Sequence, residues 1–97
     1  MKRSEALAIL KAHEADLKEL GVQQLFLFGS TARDKADTDS DVDLFFDHAH
    51  GELSLYGLID IKKKAQELLG RPTDIMTRSS LHPALRAGIE ATAVRVF

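Results

Sequence analysis

Three carboxylates and a glycine turn are the residues of this chain best suited to chemistry. Asp41 and Asp43 flank Val42 at the head of the segment DVDLFF. Carboxylates at i and i+2 on a strand project from the same face. Within several ångströms they repel each other unless a cation sits between them or one keeps its proton. Mg²⁺ suits such a pair, because one or two carboxylates hold it while waters and substrate phosphates complete its octahedron. Asp74, between Thr73 and Ile75, opens another short apolar segment. It can face the same site as a third ligand or as a general base.

The turn is Gly29-Ser30, which follows the apolar run VQQLFLF. If a helix starts there, its first N–H groups can hold a phosphate. Glycine lets a ligand approach the backbone closely. The Ser30 hydroxyl adds a contact, and Arg33, one turn later, supplies positive charge.

Taken singly, each feature has a plainer reading. Gly-Ser is a common turn, an Asp-x-Asp pair is a common solvated face, and a single Asp on an edge strand is unremarkable. Asp37 and Asp39 are read as solvated loop residues. His48 and His50 are read as loop surface, because a metal site needs three or four ligands. His82 has no visible partner, and nothing singles out Tyr56 as a modification site. The combination is specific: Gly-Ser after an apolar strand, then ten residues, then Asp-x-Asp opening a second apolar strand.

The elements that must position these residues can be read along the chain. Residues 4–20 predict one amphipathic helix, with Ser4 as N-cap and Ala6, Ile9, Leu10, His13, Leu17 and Leu20 on its inner side. Gly21 stops it. A strand is expected over 22–28, a turn and short helix over 29–35, and a strand over 41–46. Residues 53–69 predict a second long helix, with Leu55, Leu58, Ile61, Ala65 and Leu68 facing inward. Gly70 and Pro72 end it. A third strand is expected over 72–77, a short helix over 83–90 and a last strand over 93–97. Alternating helices and strands imply an α/β (α+β) fold: a small mixed sheet with helices mainly on one face. Pattern alone leaves the strand order open.

Composition bounds the possibilities. The 97 residues suit one compact domain, 1–97. The formal charge of −2 gives no electrostatic case for wrapping a nucleic acid, so no direct nucleic-acid partner is expected. A nucleotide remains compatible, since a metal can supply the positive charge. The chain has no cysteine, which removes disulfides, thiolate zinc sites and cysteine nucleophiles. The N-terminal apolar run, Ala6–Leu10, is too short for a signal peptide. No stretch approaches the roughly 20 apolar residues of a membrane span. A cytoplasmic protein with no membrane partner is the expectation.

The segment GSTARDKADTDSDVDL resembles the signature of the minimal nucleotidyltransferases, a branch of the DNA polymerase β-like superfamily. Gly29, Ser30, Ala32, Arg33, Ser40, Asp41, Asp43 and Leu44 carry the match, and GRPTDIMT places Asp74 on the family's third-carboxylate strand. The likeness extends from the helix before the signature to the AVRVF ending. One departure is Asp34, where the family often has glycine. The resemblance implies the nucleotidyltransferase fold and two-metal nucleotidyl transfer. Asp41 and Asp43 would bind two Mg²⁺ ions gripping the triphosphate. Asp74 would complete the second metal site and help activate the attacking hydroxyl, and Gly29 and Ser30 would hold the β- and γ-phosphates.

The resemblance also implies that larger relatives carry a second domain for the acceptor, so the acceptor of this small chain is expected on another molecule. Small members are commonly encoded beside a HEPN-type toxin and act as its antitoxin, in characterised cases by adding AMP from ATP to a toxin tyrosine. Leu53, Leu55 and Tyr56 are compatible with a partner surface, although each singly also reads as helix core. Two alternatives stand beside the enzyme: an antitoxin that neutralises by docking alone, and a transferase for a small-molecule hydroxyl.

Overall fold

The computed structural model describes residues 1–33, 41–48 and 53–97. The readings placed on Asp34, Asp37, Asp39, Ser40 and His50 lie outside the described residues.

The apolar run Val22–Phe28 forms β1, as expected. It pairs antiparallel with β2, Val42–His48, so that Leu25 faces Phe46, Leu27 faces Leu44 and Phe28 faces Asp43. A register shift between Val22 and Gln24 changes the phase of the alternation, which lets Val22, Leu25 and Leu27 all be buried. β3, Thr73–Thr77, runs parallel to β2. A parallel neighbour requires a crossover, supplied here by α4, Leu55–Leu69. β4, Val94–Arg95, closes the other side antiparallel to β1, giving the order β3-β2-β1-β4.

One face of this mixed sheet holds the core. Val42, Leu44, Phe46, Leu25, Leu27 and Ile75 pack on Ala6 and Leu10 of α1 (Arg3–Ala12), Leu17 of α2 (Glu14–Glu19) and Ile61, Ala65 and Leu69 of α4. Truncating one of these leucines to alanine costs about 2–5 kcal/mol. Among the described residues, no helix is long and apolar enough to cross a membrane.

The other face is aromatic. Phe45, only 1% exposed, stacks on Phe26 at 4.8 Å and meets Phe28 at 5.7 Å between ring centroids. Arg78 lies over this cluster, its guanidinium carbon 4.7 Å from the Phe26 ring centre and 5.2 Å from that of Phe45. It donates two hydrogen bonds to Asp47, at 2.8 and 3.0 Å, and one to Glu90, at 2.7 Å. Glu90 belongs to α5, Pro83–Thr92, a helix with no buried residue. Arg78 therefore ties α5 to the sheet by charge and cation–π contact.

Several elements differ from the sequence reading. The helix expected over 4–20 breaks at His13, whose φ of −112° and ψ of 23° are not helical. The His13 side chain is half-exposed and reaches Asp16 at 3.3 Å, rather than packing in the core. Ser4 lies inside α1, and the N-cap position is Lys2, without a side-chain cap. In α4 the cap is Ser54, accepting from the Gly57 N–H at 3.0 Å. Leu55 is 69% exposed, because it lies about a quarter turn round the helix from the Ile61–Ala65–Leu69 stripe. α5 runs two residues beyond the expected 90. The last strand is short, though the Val96 N–H to Leu25 carbonyl bond prolongs its pairing.

Arg78→Ala should detach α5 while leaving the core face intact. The expected outcome is a melting temperature lower by roughly 5–10 °C and faster amide exchange confined to α5, measured by calorimetry and hydrogen exchange.

Candidate active site

The β1–β2 register assembles the site. Because Phe28 pairs with Asp43, the residue leaving β1, Gly29, lies against the Asp43 side chain. A Cβ at position 29 would collide with that carboxylate and lie 3.2 Å from its carbon. Gly29 also has a φ of +75°, in the left-handed region that disfavours side chains. It opens α3, Gly29–Ala32, whose last carbonyl accepts from Arg3 of α1 at 3.3 Å. Ser30 is partly exposed on this turn, and Arg33 is exposed just after it.

The parallel β2–β3 register sets Asp43 directly beside Asp74. Asp41 is exposed immediately before β2. The structure thus brings Asp43, Asp74 and Gly29 together with Ser30 next in the chain, and keeps Asp41 close enough for its charge to act on Asp43. Burial raises the Asp43 pKa above the ordinary carboxylate value, and the charges of Asp74 and then Asp41 raise it further. Each of these influences raises the Asp43 pKa, and a divalent ion bound there would offset the carboxylate repulsion. Among the described residues, no three His, Cys, Asp or Glu side chains form a ready-made metal cluster. Mg²⁺ asks less of the protein: one or two carboxylates, the rest being water and phosphate oxygens. The oxygen-only donor set of Asp43 with a neighbouring aspartate fits it.

The sequence reading did not single out the neighbours that frame this face. Arg78 and Asp47 lie 31 residues apart, and no local pattern links them. Phe28, Leu85 and Ile89 line a cleft opening at Gly29. The i, i+3, i+4, i+7 spacing of Leu85, Gly88, Ile89 and Thr92 was the available signal.

A glycine turn abutting paired carboxylates on a small mixed sheet is the arrangement that the sequence resemblance leads one to expect. The chain belongs to the nucleotidyltransferase domain family, which it matches over residues 10–96. Protein adenylyltransferase MntA of Thermococcus cleftensis is 37% identical over 92 residues, covering 94% of this chain and 88% of that protein. A Methanocaldococcus jannaschii chain described as a candidate protein adenylyltransferase is 34% identical over 95 residues, covering 96% of each. A solved structure described as a minimal nucleotidyltransferase superposes with a TM-score of 0.82 at 30% identity, over 97% of this chain and 95% of its own. The fold also recurs in the complex of a tri-AMPylated Shewanella oneidensis HEPN toxin with its MNT antitoxin. There the TM-score is 0.67 at 16% identity, over 94% of this chain and 71% of that one.

Two outcomes test this geometry. Gly29→Ala should cost about 1–2 kcal/mol in chemical denaturation, from backbone strain and displacement of Asp43. For Asp43, a raised native pKa means the folded state holds the proton more tightly than the unfolded chain. Its contribution to stability is therefore full below the ordinary carboxylate value of 3.8 and is lost as pH rises through the raised value. Without divalent cations, Asp43→Asn should melt higher than the parent at pH 7, with the gap closing in acid.

Proposed function

We propose that this chain is a Mg²⁺-dependent adenylyltransferase that moves AMP from ATP to a hydroxyl of a partner protein, and that it thereby acts as the antitoxin of a HEPN-type toxin. The observation carrying this reading is the juxtaposition of Asp43 and Asp74 against the Gly29-Ser30 turn. Similarity to MntA and the fold shared with an antitoxin in complex with its AMPylated toxin support the acceptor class.

In this reading Asp41, Asp43 and Asp74 hold the metal ions. Bound there, Mg²⁺ supplies charge stabilisation for the attacked phosphorus and the departing pyrophosphate. Gly29 admits the triphosphate close to the main chain, and Ser30 and Arg33 contact its oxygens. The acceptor oxygen attacks the α-phosphorus, the bond to the bridging oxygen breaks, and pyrophosphate leaves. Asp74, on the strand beside Asp43, takes the acceptor proton. A tyrosine hydroxyl on the toxin is the proposed acceptor. Leu55, Tyr56 and Ile59, exposed by 69%, 79% and 40% on the first turns of α4, form an apolar patch suited to a protein partner.

The test is label transfer from α-phosphate-labelled ATP with Mg²⁺ and the product of the adjacent gene. One labelled band is expected, reduced at least about a hundredfold in the Asp41→Asn/Asp43→Asn variant. A stable complex without label, with full neutralisation by the double variant in cells, would instead make this chain an antitoxin that acts by docking.

A further inference from the structure

The cleft at the end of β1 shares Gly29 and Arg33 with the proposed phosphate site, while its α5 side has no part in the phosphate chemistry. Its volume is about 400 Å³, within the usual range for small-ligand sites. Gly29 forms its inner edge, and that same glycine abuts Asp43. Phe28 forms one wall and Leu85 and Ile89 of α5 the other. Along α5, Leu85, Gly88, Ile89 and Thr92 share one helical face. This face is apolar but does not enter the core: Leu85 is 60% exposed, and α5 buries none of its residues. Between the two larger side chains stands Gly88, where a Cβ would meet nothing within 4 Å.

We propose that this cleft receives the base of the nucleoside triphosphate and grips it by its faces rather than its edges. The inference rests on the reading that a triphosphate occupies the carboxylate site. Because the cleft shares Gly29 with the proposed phosphate site, a nucleotide held there by its phosphates can lay its base against Phe28, and an aromatic ring with aliphatic side chains suits a flat heterocycle. The missing side chain at Gly88 leaves the slot open. Among the described residues lining the cleft, Arg33 is the charged side chain and is assigned to the phosphates, and no carboxylate or amide side chain is present to read a base edge. The Thr92 hydroxyl donates to the Gly88 carbonyl at 2.9 Å, so its proton is already engaged. Discrimination between adenine and guanine is therefore weak, and both purines outbind pyrimidines through their larger faces.

The experiment is calorimetric titration of the full chain, with Mg²⁺, using α,β-methylene ATP, α,β-methylene GTP and inorganic tripolyphosphate. The parent should bind the ATP analogue roughly 5- to 150-fold more tightly than tripolyphosphate, the range that stacking contributes. The two purine analogues should differ by less than about tenfold. Gly88→Leu, which fills the slot while favouring the helix, should bring the ATP analogue down to the affinity of tripolyphosphate and leave tripolyphosphate unchanged. Leu85→Ser, at an exposed position that folding does not depend on, should act in the same direction. Gly88→Ala should retain the fold and most of the affinity. If Gly88→Leu and Leu85→Ser both bind the analogue as the parent does, the base lies elsewhere and the proposal fails. If the parent does not bind even tripolyphosphate, the reading of the carboxylate site fails first, and the cleft assignment falls with it.

Discussion

The pairing of Phe28 with Asp43 across β1 and β2 is the constraint from which the rest follows. It fixes where β1 ends relative to the carboxylates, and so sets Gly29 against Asp43. A slip of one residue would move the aspartates to the core face and the leucines out. The register resists such a slip because Leu44 and Phe46 are fully buried opposite Leu27 and Leu25. The chemical face is thus held in place by packing on the opposite face of the same strands. β3 adds Asp74 through its own register with Asp43, pinned in the same way by buried Ile75.

Two charge clusters on this sheet contrast in a way that separates structure from chemistry. Around Arg78 the charges are matched: Asp47 and Glu90 share its donors, Arg86 joins Glu90 at 2.9 Å, and the pKa of Glu90 is lowered, first by its hydrogen bond to Arg78. That cluster is complete within the chain and holds α5 in place. Around Asp43, burial and two neighbouring carboxylates raise its pKa. Such an arrangement weakens the free protein, and a bound cation would relieve it.

Much of this could be read from the sequence, and what could not has identifiable causes. β1 was readable because an apolar run ends at a glycine. The carboxylate pair was readable because i, i+2 spacing on a strand has one geometric meaning. The partnership of Asp43 with Asp74 depended on strand order, which alternation does not encode. The break at His13 was hidden because the apolar spacing continues through it, from Leu10 to Leu17. The orientation of Leu55 was misread because a leucine in the first turn of a helix fits an apolar stripe by type while pointing elsewhere. The Arg78 clamp joins segments 31 and 12 residues apart, a distance over which single-sequence patterns carry no information.

The two faces of the sheet also divide the demands made on the sequence. On the helix-covered face, volume and shape decide, and any residue that fills the same space in the same rotamer serves nearly as well. On the other face, Phe45 and Phe26 give a rigid floor beneath Arg78, while Asp43, Asp74 and Gly29 occupy positions where neither volume nor hydrophobicity explains the residue type. Gly29 could be replaced only by moving Asp43, and Asp43 is tolerated half-buried beside Asp74 at a cost to the free protein. Asp43 is thus a residue whose identity works against the isolated fold, held in place by strands whose other face stabilises it.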